Sequence, residues 1–144
     1  MKIINREVGY AIRSLCFMFT EQDEVVTTGY LSSYFNISRS FLRKIFQKLN
    51  RAGILESYKG KKGGYKPVVH ADKISLLDLI EVFQGKFRLS NCYGKEQQCP
   101  IINDCQIREE IENVEKNLIG DLSKISLKML INKNEKKILE EKEI

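Results

Sequence analysis

Three of the four cysteines lie in one polar stretch of the chain, at Cys92, Cys99 and Cys105. Thiolates bind zinc and iron–sulfur clusters, and they also serve as redox switches. No signal-peptide pattern is evident, so we expect the cytoplasm, where thiols stay reduced and a disulfide framework is disfavoured. Structural zinc favours closely spaced cysteine pairs, which this stretch lacks. The spacing alone therefore leaves a cluster, zinc and reactive thiols open.

A second candidate for chemistry is a basic block between Asn36 and Lys66. It contains nine lysines and arginines and one acid, Glu56, so it carries +8 in a chain of net charge +5. The rest of the chain is therefore slightly acidic. Such a concentration of positive charge is typical of surfaces that contact nucleic-acid phosphates.

The centre of this block is an amphipathic helix that Ser38 is predicted to cap and Gly53 to end. Its polar face contains no acid. A merely solvated face normally mixes signs, because opposite charges three or four residues apart stabilise a helix. We therefore predict a DNA-recognition helix. The apolar face consists of Phe41, Leu42, Ile45, Phe46 and Leu49.

The predicted DNA contacts follow from position on this helix and on the hairpin after it. The start of a recognition helix normally reads base edges in the major groove, and basic residues beyond it hold phosphates. Two β-prone runs flank a lysine- and glycine-rich turn, which predicts a hairpin that forms a wing. Base contacts are assigned to Ser38, Arg39, Ser40 and Arg43, and phosphate contacts to Lys44, Lys48, Arg51, Lys59, Lys61 and Lys62.

Other helices must position these residues. Apolar spacing predicts a first helix over about residues 6–19, with Cys16 as a core thiol, and a second helix capped by Thr27 or Thr28. Ser75 begins a capping box for a fourth helix that Gly85 ends. A later seam has coiled-coil-like steps and predicts a long helix that pairs with a second copy. The seam consists of Ile107, Ile111, Val114, Leu118, Leu122 and Ile125.

The predicted fold is mainly α with a small β-hairpin: a winged helix-turn-helix plus a long C-terminal dimerisation helix. We place the DNA-binding domain at residues 1–85, the cysteine loop at 86–106, the dimerisation helix and a short helix at 107–131, and a charged, disordered tail at 132–144. No run approaches the roughly 20 apolar residues of a membrane span. A single histidine and no nucleophile–base pattern argue against an enzyme.

The sequence resembles the iron–sulfur-dependent winged-helix regulators typified by IscR and NsrR over about residues 1–131. The resemblance is carried by the three cysteines and by four motifs: GYA at 9–11, ISRSFL at 37–42, LNRAGIL at 49–55 and KGKKGGY at 59–65. It implies a homodimer that reads a pseudo-palindromic operator. It also implies a [2Fe–2S] or [4Fe–4S] cluster, of undetermined nuclearity, on Cys92, Cys99 and Cys105.

Three positions depart from the pattern of these relatives. Arg108, which cannot ligate iron, stands where IscR-like members carry a histidine. NsrR-like members draw an acidic ligand from the partner's first helix, and here Glu7 is the nearest carboxylate to that position. The fourth ligand is therefore Glu7, Asp104 or a small exogenous molecule. Arg43 replaces an acid of IscR-like proteins, which predicts a different operator preference.

The sequence thus predicts a transcriptional regulator whose operator affinity depends on a cluster that senses iron, redox or nitric oxide status. Loss or assembly of the cluster would alter the loop and tilt the two DNA-binding heads. Two alternatives stay open at this stage. One is a winged-helix regulator that uses zinc or thiol switching without a cluster, and the other is a protein-interaction module.

Overall fold

The computed structural model describes residues 2–21, 25–90, 92 and 99–133. Residues 127–133 are helical, as are five longer segments. The elements in chain order are α1 (Arg6–Thr20), α2 (Thr28–Phe35), α3 (Arg39–Arg51), β1 (Leu55–Tyr58), β2 (Gly64–Pro67), a 3-10 turn (Ala71–Lys73), α4 (Leu76–Gln84) and α5 (Gln106–Lys124). The predicted class, mainly α with a small β-hairpin, is confirmed.

Helices α2, α3 and α4 begin at the predicted caps. The Thr27 hydroxyl accepts the Tyr30 amide at 3.1 Å, and the Ser38 hydroxyl accepts the Phe41 amide at 3.2 Å. Ser75 forms the full capping box, in which its hydroxyl accepts the Asp78 amide while the Asp78 carboxylate accepts the Ser75 amide. These bonds satisfy amides that a helix start would otherwise leave unpaired. Polar residues next to apolar runs therefore fix the helix boundaries.

The four helices from α1 through α4 share one hydrophobic core. On the apolar face of α3, Leu42, Ile45, Phe46 and Leu49 are completely buried in it and Phe41 is partly buried. Helices α1 and α2 contribute Leu15 and Leu31 at 0% exposure. The end of α5 closes the core: the Leu76 amide donates to the Ile125 carbonyl, and the Leu127 amide donates to the Ile74 carbonyl. Cys16 is buried in the core, as predicted, and burial raises the pKa of its thiol.

The wing is a two-stranded antiparallel hairpin in which Leu55 pairs with Pro67 and Tyr58 pairs with Gly64. Val26 extends it through reciprocal backbone hydrogen bonds with Tyr65. Gly64 has φ +155, and a Cβ on it would lie 2.5 Å from the Val26 carbonyl oxygen, so this crossing requires glycine. The Tyr65 ring packs edge-on against Phe46, with 5.1 Å between centroids, and so anchors the wing on α3.

The apolar seam of α5 divides into two halves. Leu122 is buried in the chain's own core, whereas Ile107 and Val114 are 75% and 52% exposed. Within the described part of the chain, Ile107 and Val114 therefore stay largely uncovered, while Ile111 between them is partly buried. Of the tail predicted at residues 132–144, only 132 and 133 are described, and both are helical. The remainder of the tail prediction lies outside the described residues.

Candidate functional site

The recognition helix α3 presents its polar face to solvent. The left-handed Asn36 ends α2, and the Ser38 cap starts α3 two residues later, which sets the angle between the two helices. Four leucine, isoleucine and phenylalanine side chains hold the opposite face in the core. The exposed residues of the outer face are Arg39, Ser40, Arg43, Lys44, Gln47 and Arg51. They form the cationic surface that the sequence predicts.

Gln47 was not among the residues assigned to DNA contact. It lies one helical turn after Arg43 and one turn before Arg51, in the middle of the exposed face. A glutamine amide can bond adenine through two hydrogen bonds, and so it belongs with the candidate base-reading residues. Its uncharged side chain gave no electrostatic signal. Its spacing of four residues from both Arg43 and Arg51 is the sequence signal that could have identified it.

Arg39 lies at the edge of this face against α2. Its guanidinium carbon is 3.5 Å from the point that a Cβ on Gly29 would occupy. Arg39 thus packs closely against α2 at Gly29. Arg39 is exposed all the same, so its guanidinium remains accessible.

Lys48 differs from the other predicted phosphate contacts, because its ammonium already has an anionic partner. It donates to both carboxylate oxygens of Glu7 on α1, at 3.0 and 3.2 Å. It also lies 5.4 Å from the ring centroid of Phe83 on α4. The Lys48 side chain is 39% exposed, so this contact joins three helices near the surface. Its phosphate contact stays a prediction, and Glu7 would have to release it.

The tip of the wing carries Lys59, Lys61 and Lys62, all exposed. The nearby acid, Glu56, accepts a hydrogen bond from the Tyr58 hydroxyl at 3.1 Å. This bond, together with the negative charge of Glu56, raises the pKa of Tyr58. The three lysines thus extend the cationic surface beyond α3, at a turn where glycines permit close backbone approach.

The three clustered cysteines occupy the approach to α5. Cys92 and Cys99 are exposed, and Cys105 is half-buried at the N-cap of α5. All three are free thiols, and they lie apart from the buried Cys16. Within the described ranges, no three histidine, cysteine or acidic side chains converge on one point that could hold a metal. Residues 93–98, between the first two cysteines, lie outside the described residues.

Two polar residues of α5 hold the described arms of the cysteine loop. Glu115, only 5% exposed, accepts the Leu89 amide at 2.8 Å and an Arg88 guanidinium nitrogen at 3.3 Å. Arg108 donates to the Ile102 carbonyl at 2.8 Å and pairs with Glu112 at 2.9 Å. From the sequence, Arg108 is identified only as a residue that cannot ligate iron, and Glu112 has no assigned role. Both are partly buried where the loop meets the helix.

A helix-turn-helix with an exposed cationic second helix, followed by a lysine-tipped hairpin, defines a winged-helix DNA-binding protein. Residues 4–133 match the family model for Rrf2, described as an iron-dependent transcriptional regulator. The chain belongs to the Rrf2 family and is a DNA-binding transcriptional regulator. The Aquifex aeolicus relative and CymR described below are both named as regulators.

Relatives and solved structures agree with this assignment. A protein of Aquifex aeolicus, named for a helix-turn-helix transcriptional regulator, is 27% identical over 136 residues, which cover 93% of this chain and 94% of that protein. A Neisseria meningitidis protein with the same kind of name is 30% identical over 76% of this chain and 74% of its own. Similar structures include CymR, the global cysteine regulator of B. subtilis, at TM-score 0.71 and 21% identity, covering 92% of this chain and 98% of CymR.

The IscR of T. potens is also similar, at TM-score 0.69 and 20% identity, covering 95% of this chain and 90% of IscR. At such identities these structures establish the fold. None of the helices in the described ranges is long and apolar enough to cross a membrane.

Proposed function

We propose that this protein is a homodimeric regulator whose operator affinity is controlled by an iron–sulfur cluster on Cys92, Cys99 and Cys105. The observation that carries the proposal is the set of three free thiols in the loop that leads into α5, in a chain of a family described as iron-dependent. Cys105 is the N-cap residue of the 19-residue helix α5. A donor set of three thiolates suits a [2Fe–2S] or [4Fe–4S] cluster, and Glu7, Asp104 or an exogenous molecule supplies the fourth ligand.

The uncovered half of the α5 seam supports dimerisation. Ile107 and Val114 are exposed on one side of the helix, and a second copy would bury them. A dimer whose recognition helices lie about 34 Å apart enters two successive major grooves and reads a pseudo-palindromic operator. In such a complex Ser38, Arg39, Ser40 and Arg43 face the bases, and the phosphates are held by Lys44, Arg51, Lys59, Lys61 and Lys62. Lys48 would join them only if Glu7 released it.

Control of DNA binding would pass through the cysteine loop to α5. The loop is attached to α5 by Glu115 and Arg108, so its conformation bears on the helix that orients the two heads. A coupling of about 1–3 kcal/mol changes operator affinity roughly 5- to 150-fold. The signal is iron supply, redox status or nitric oxide, and the protein acts in the cytoplasm.

Anaerobic purification, followed by absorption spectra and iron and sulfide assays, tests the cluster. Replacing Cys92, Cys99 or Cys105 with alanine should remove the visible absorption and leave the fold intact. Cys16→Ala is the matched control, because this buried thiol lies apart from the other three, and it should keep the cluster. Unchanged iron and sulfide in all three loop variants would refute the proposal.

A second candidate is a regulator that uses the same thiols as a redox switch, without a cluster. Two of the three thiols are exposed, and a structurally similar S. aureus CymR is described in an oxidized form. In that case the anaerobic protein would contain no sulfide, and the duplex affinity would respond to a thiol oxidant. A zinc-binding variant of this candidate would show zinc in the metal assay.

A further inference from the structure

We infer that Glu115 and Arg108 are positioning residues for the cysteine loop, which hold its two arms against one face of α5. The inference rests on the proposed function in one respect only, the use of the loop thiols. The described arms are residues 88–90 with Cys92 on one side and 99–105 on the other. Each arm is held by a side chain of the same helix.

Glu115 holds the first arm. Its carboxylate is almost completely buried, yet it accepts two hydrogen bonds from that arm: the Leu89 backbone amide at 2.8 Å and Arg88 at 3.3 Å. A buried carboxylate is costly unless such partners compensate it, so these bonds and the burial depend on each other. Leu89 is three residues before Cys92. Glu115 therefore fixes where the chain enters the loop.

Arg108 holds the second arm. Its guanidinium donates to the Ile102 carbonyl at 2.8 Å, midway between Cys99 and Cys105. The same guanidinium pairs with Glu112 one turn along α5, at 2.9 Å, which fixes its orientation. Both side chains of this ion pair are 28% exposed. The arm is thus bonded to a residue that is itself held on the helix.

The two contacts share one stripe of α5. Arg108, Glu112 and Glu115 follow at steps of four and three residues, which places them on one side of a helix. The exposed seam residues Ile107 and Val114 each precede a stripe residue by one position, and so they point about 100° away around the axis. The helix therefore presents adjacent faces to its own cysteine loop and to solvent. A movement of either arm acts directly on the helix that carries the uncovered seam.

The consequence for the thiols is preorganisation. With both arms tied to α5, Cys92 and Cys105 sample a smaller volume than they would on a free loop, which raises their effective concentration for each other. Any use that brings the thiols together benefits from this, whether the product is a cluster or a disulfide. Loss of one hydrogen bond of this kind should lower the effective concentration about 2- to 10-fold.

The test uses the full chain in metal-free, reduced form with Cys99→Ala, so that Cys92 and Cys105 are the only pair in the loop. Equilibration with reduced and oxidised glutathione measures their effective concentration, as each disulfide formed converts one oxidised glutathione into two reduced molecules. Glu115→Leu keeps the side-chain bulk and removes the acceptor, so it should lower the value. Glu115→Gln keeps an acceptor oxygen for the Leu89 amide and should retain most of it.

Glu109→Gln, exposed on the same helix, is the matched control and should match the parent. Amide hydrogen exchange at Leu89 should accelerate in Glu115→Leu and not in the control, which separates positioning from simple packing. Arg108→Leu should likewise speed exchange in the turn at residues 101–104.

Equal effective concentrations in all variants, with unchanged exchange at Leu89, would overturn the inference. If Glu115→Leu does not fold, the inference is tested with Glu115→Gln and Arg108→Leu, by their effective concentrations and their hydrogen-exchange rates. Because the protein is metal-free throughout, failure to bind a cluster leaves this result unaffected.

Discussion

Removing the Glu7–Lys48 ion pair should leave the salt dependence of DNA binding unchanged, whereas removing Lys44 should reduce it. Lys44 and Lys48 are lysines one turn apart on α3. Lys44 is exposed to solvent, but the Lys48 ammonium is bonded to both oxygens of Glu7. The charge of Lys48 is thus already paired with that of Glu7 before the protein binds a duplex.

The expected magnitudes follow from counterion release. Each phosphate neutralised by a lysine contributes about 0.9 to the slope of log K against log salt concentration. Lys44→Ala should therefore lower the slope by about 0.9. The double variant Glu7→Gln with Lys48→Ala keeps the net charge of the protein, and its slope should stay within about 0.3 of the parent's. Since the ion pair is partly exposed, its loss should cost roughly 1 kcal/mol of stability or less.

Fluorescence anisotropy with a labelled duplex of arbitrary sequence, titrated at several salt concentrations, gives the slopes. Thermal unfolding of each variant checks that the fold is kept. A double variant that loses as much slope as Lys44→Ala would refute the reasoning, because Lys48 would then leave Glu7 and hold a phosphate in the complex. The single variant Glu7→Gln tests the effect of Glu7 by itself. It frees the Lys48 ammonium to contact a phosphate and should therefore raise the slope.

Four further predictions concern stability and thiol chemistry. Gly64→Ala should lower the free energy of unfolding by about 1–3 kcal/mol, because its Cβ would meet the Val26 carbonyl. The control is Gly120→Ala, whose Cβ meets no atom within 4 Å and which should not be destabilising. Denaturant titration compares the two variants. Ser75→Ala removes one half of the α4 capping box and should cost about 1 kcal/mol in the same titration. Cys16 should react with iodoacetamide far more slowly than Cys92 by mass spectrometry, and equal rates would contradict its burial. The pKa of the Cys16 thiol is raised in the folded protein, so this thiol contributes to stability below its unfolded pKa of about 8.5, and the contribution is lost at higher pH. The Cys16→Ala protein should not show that loss of stability at high pH.

The elements of the fold could be predicted from the sequence because their signals are local. Ser38 and Ser75 lie directly before apolar periodicity, and the glycines of the wing lie between two β-prone runs. The contacts that define the candidate site are not local. Glu7 and Lys48 are 41 residues apart, and Leu89 and Glu115 are 26 apart. No periodicity relates such pairs, so the sequence predicts neither the Glu7–Lys48 contact nor the Leu89–Glu115 contact.

The α5 seam shows the same limit in another form. The spacing of its apolar residues correctly predicts a long helix with an apolar side. It does not say that Leu122 packs into the chain's own core while Ile107 stays exposed. That division depends on where α4 ends and how far α5 continues beyond it. The helix is thus half a core element and half a free surface.

The non-local contacts form a continuous connection from the cysteines to the recognition helix. Glu115 joins the cysteine loop to α5, and the Leu76 amide joins α4 to the end of α5 through the Ile125 carbonyl. On α4, the Phe83 ring lies beneath Lys48 of α3. Contiguity alone does not establish coupling, which requires that both ends bias a common equilibrium. A double-mutant cycle supplies that test: if Glu115→Leu and Phe83→Leu act on DNA affinity through this connection, their effects should fall short of additivity by about 0.5 kcal/mol or more, whereas independent sites would add.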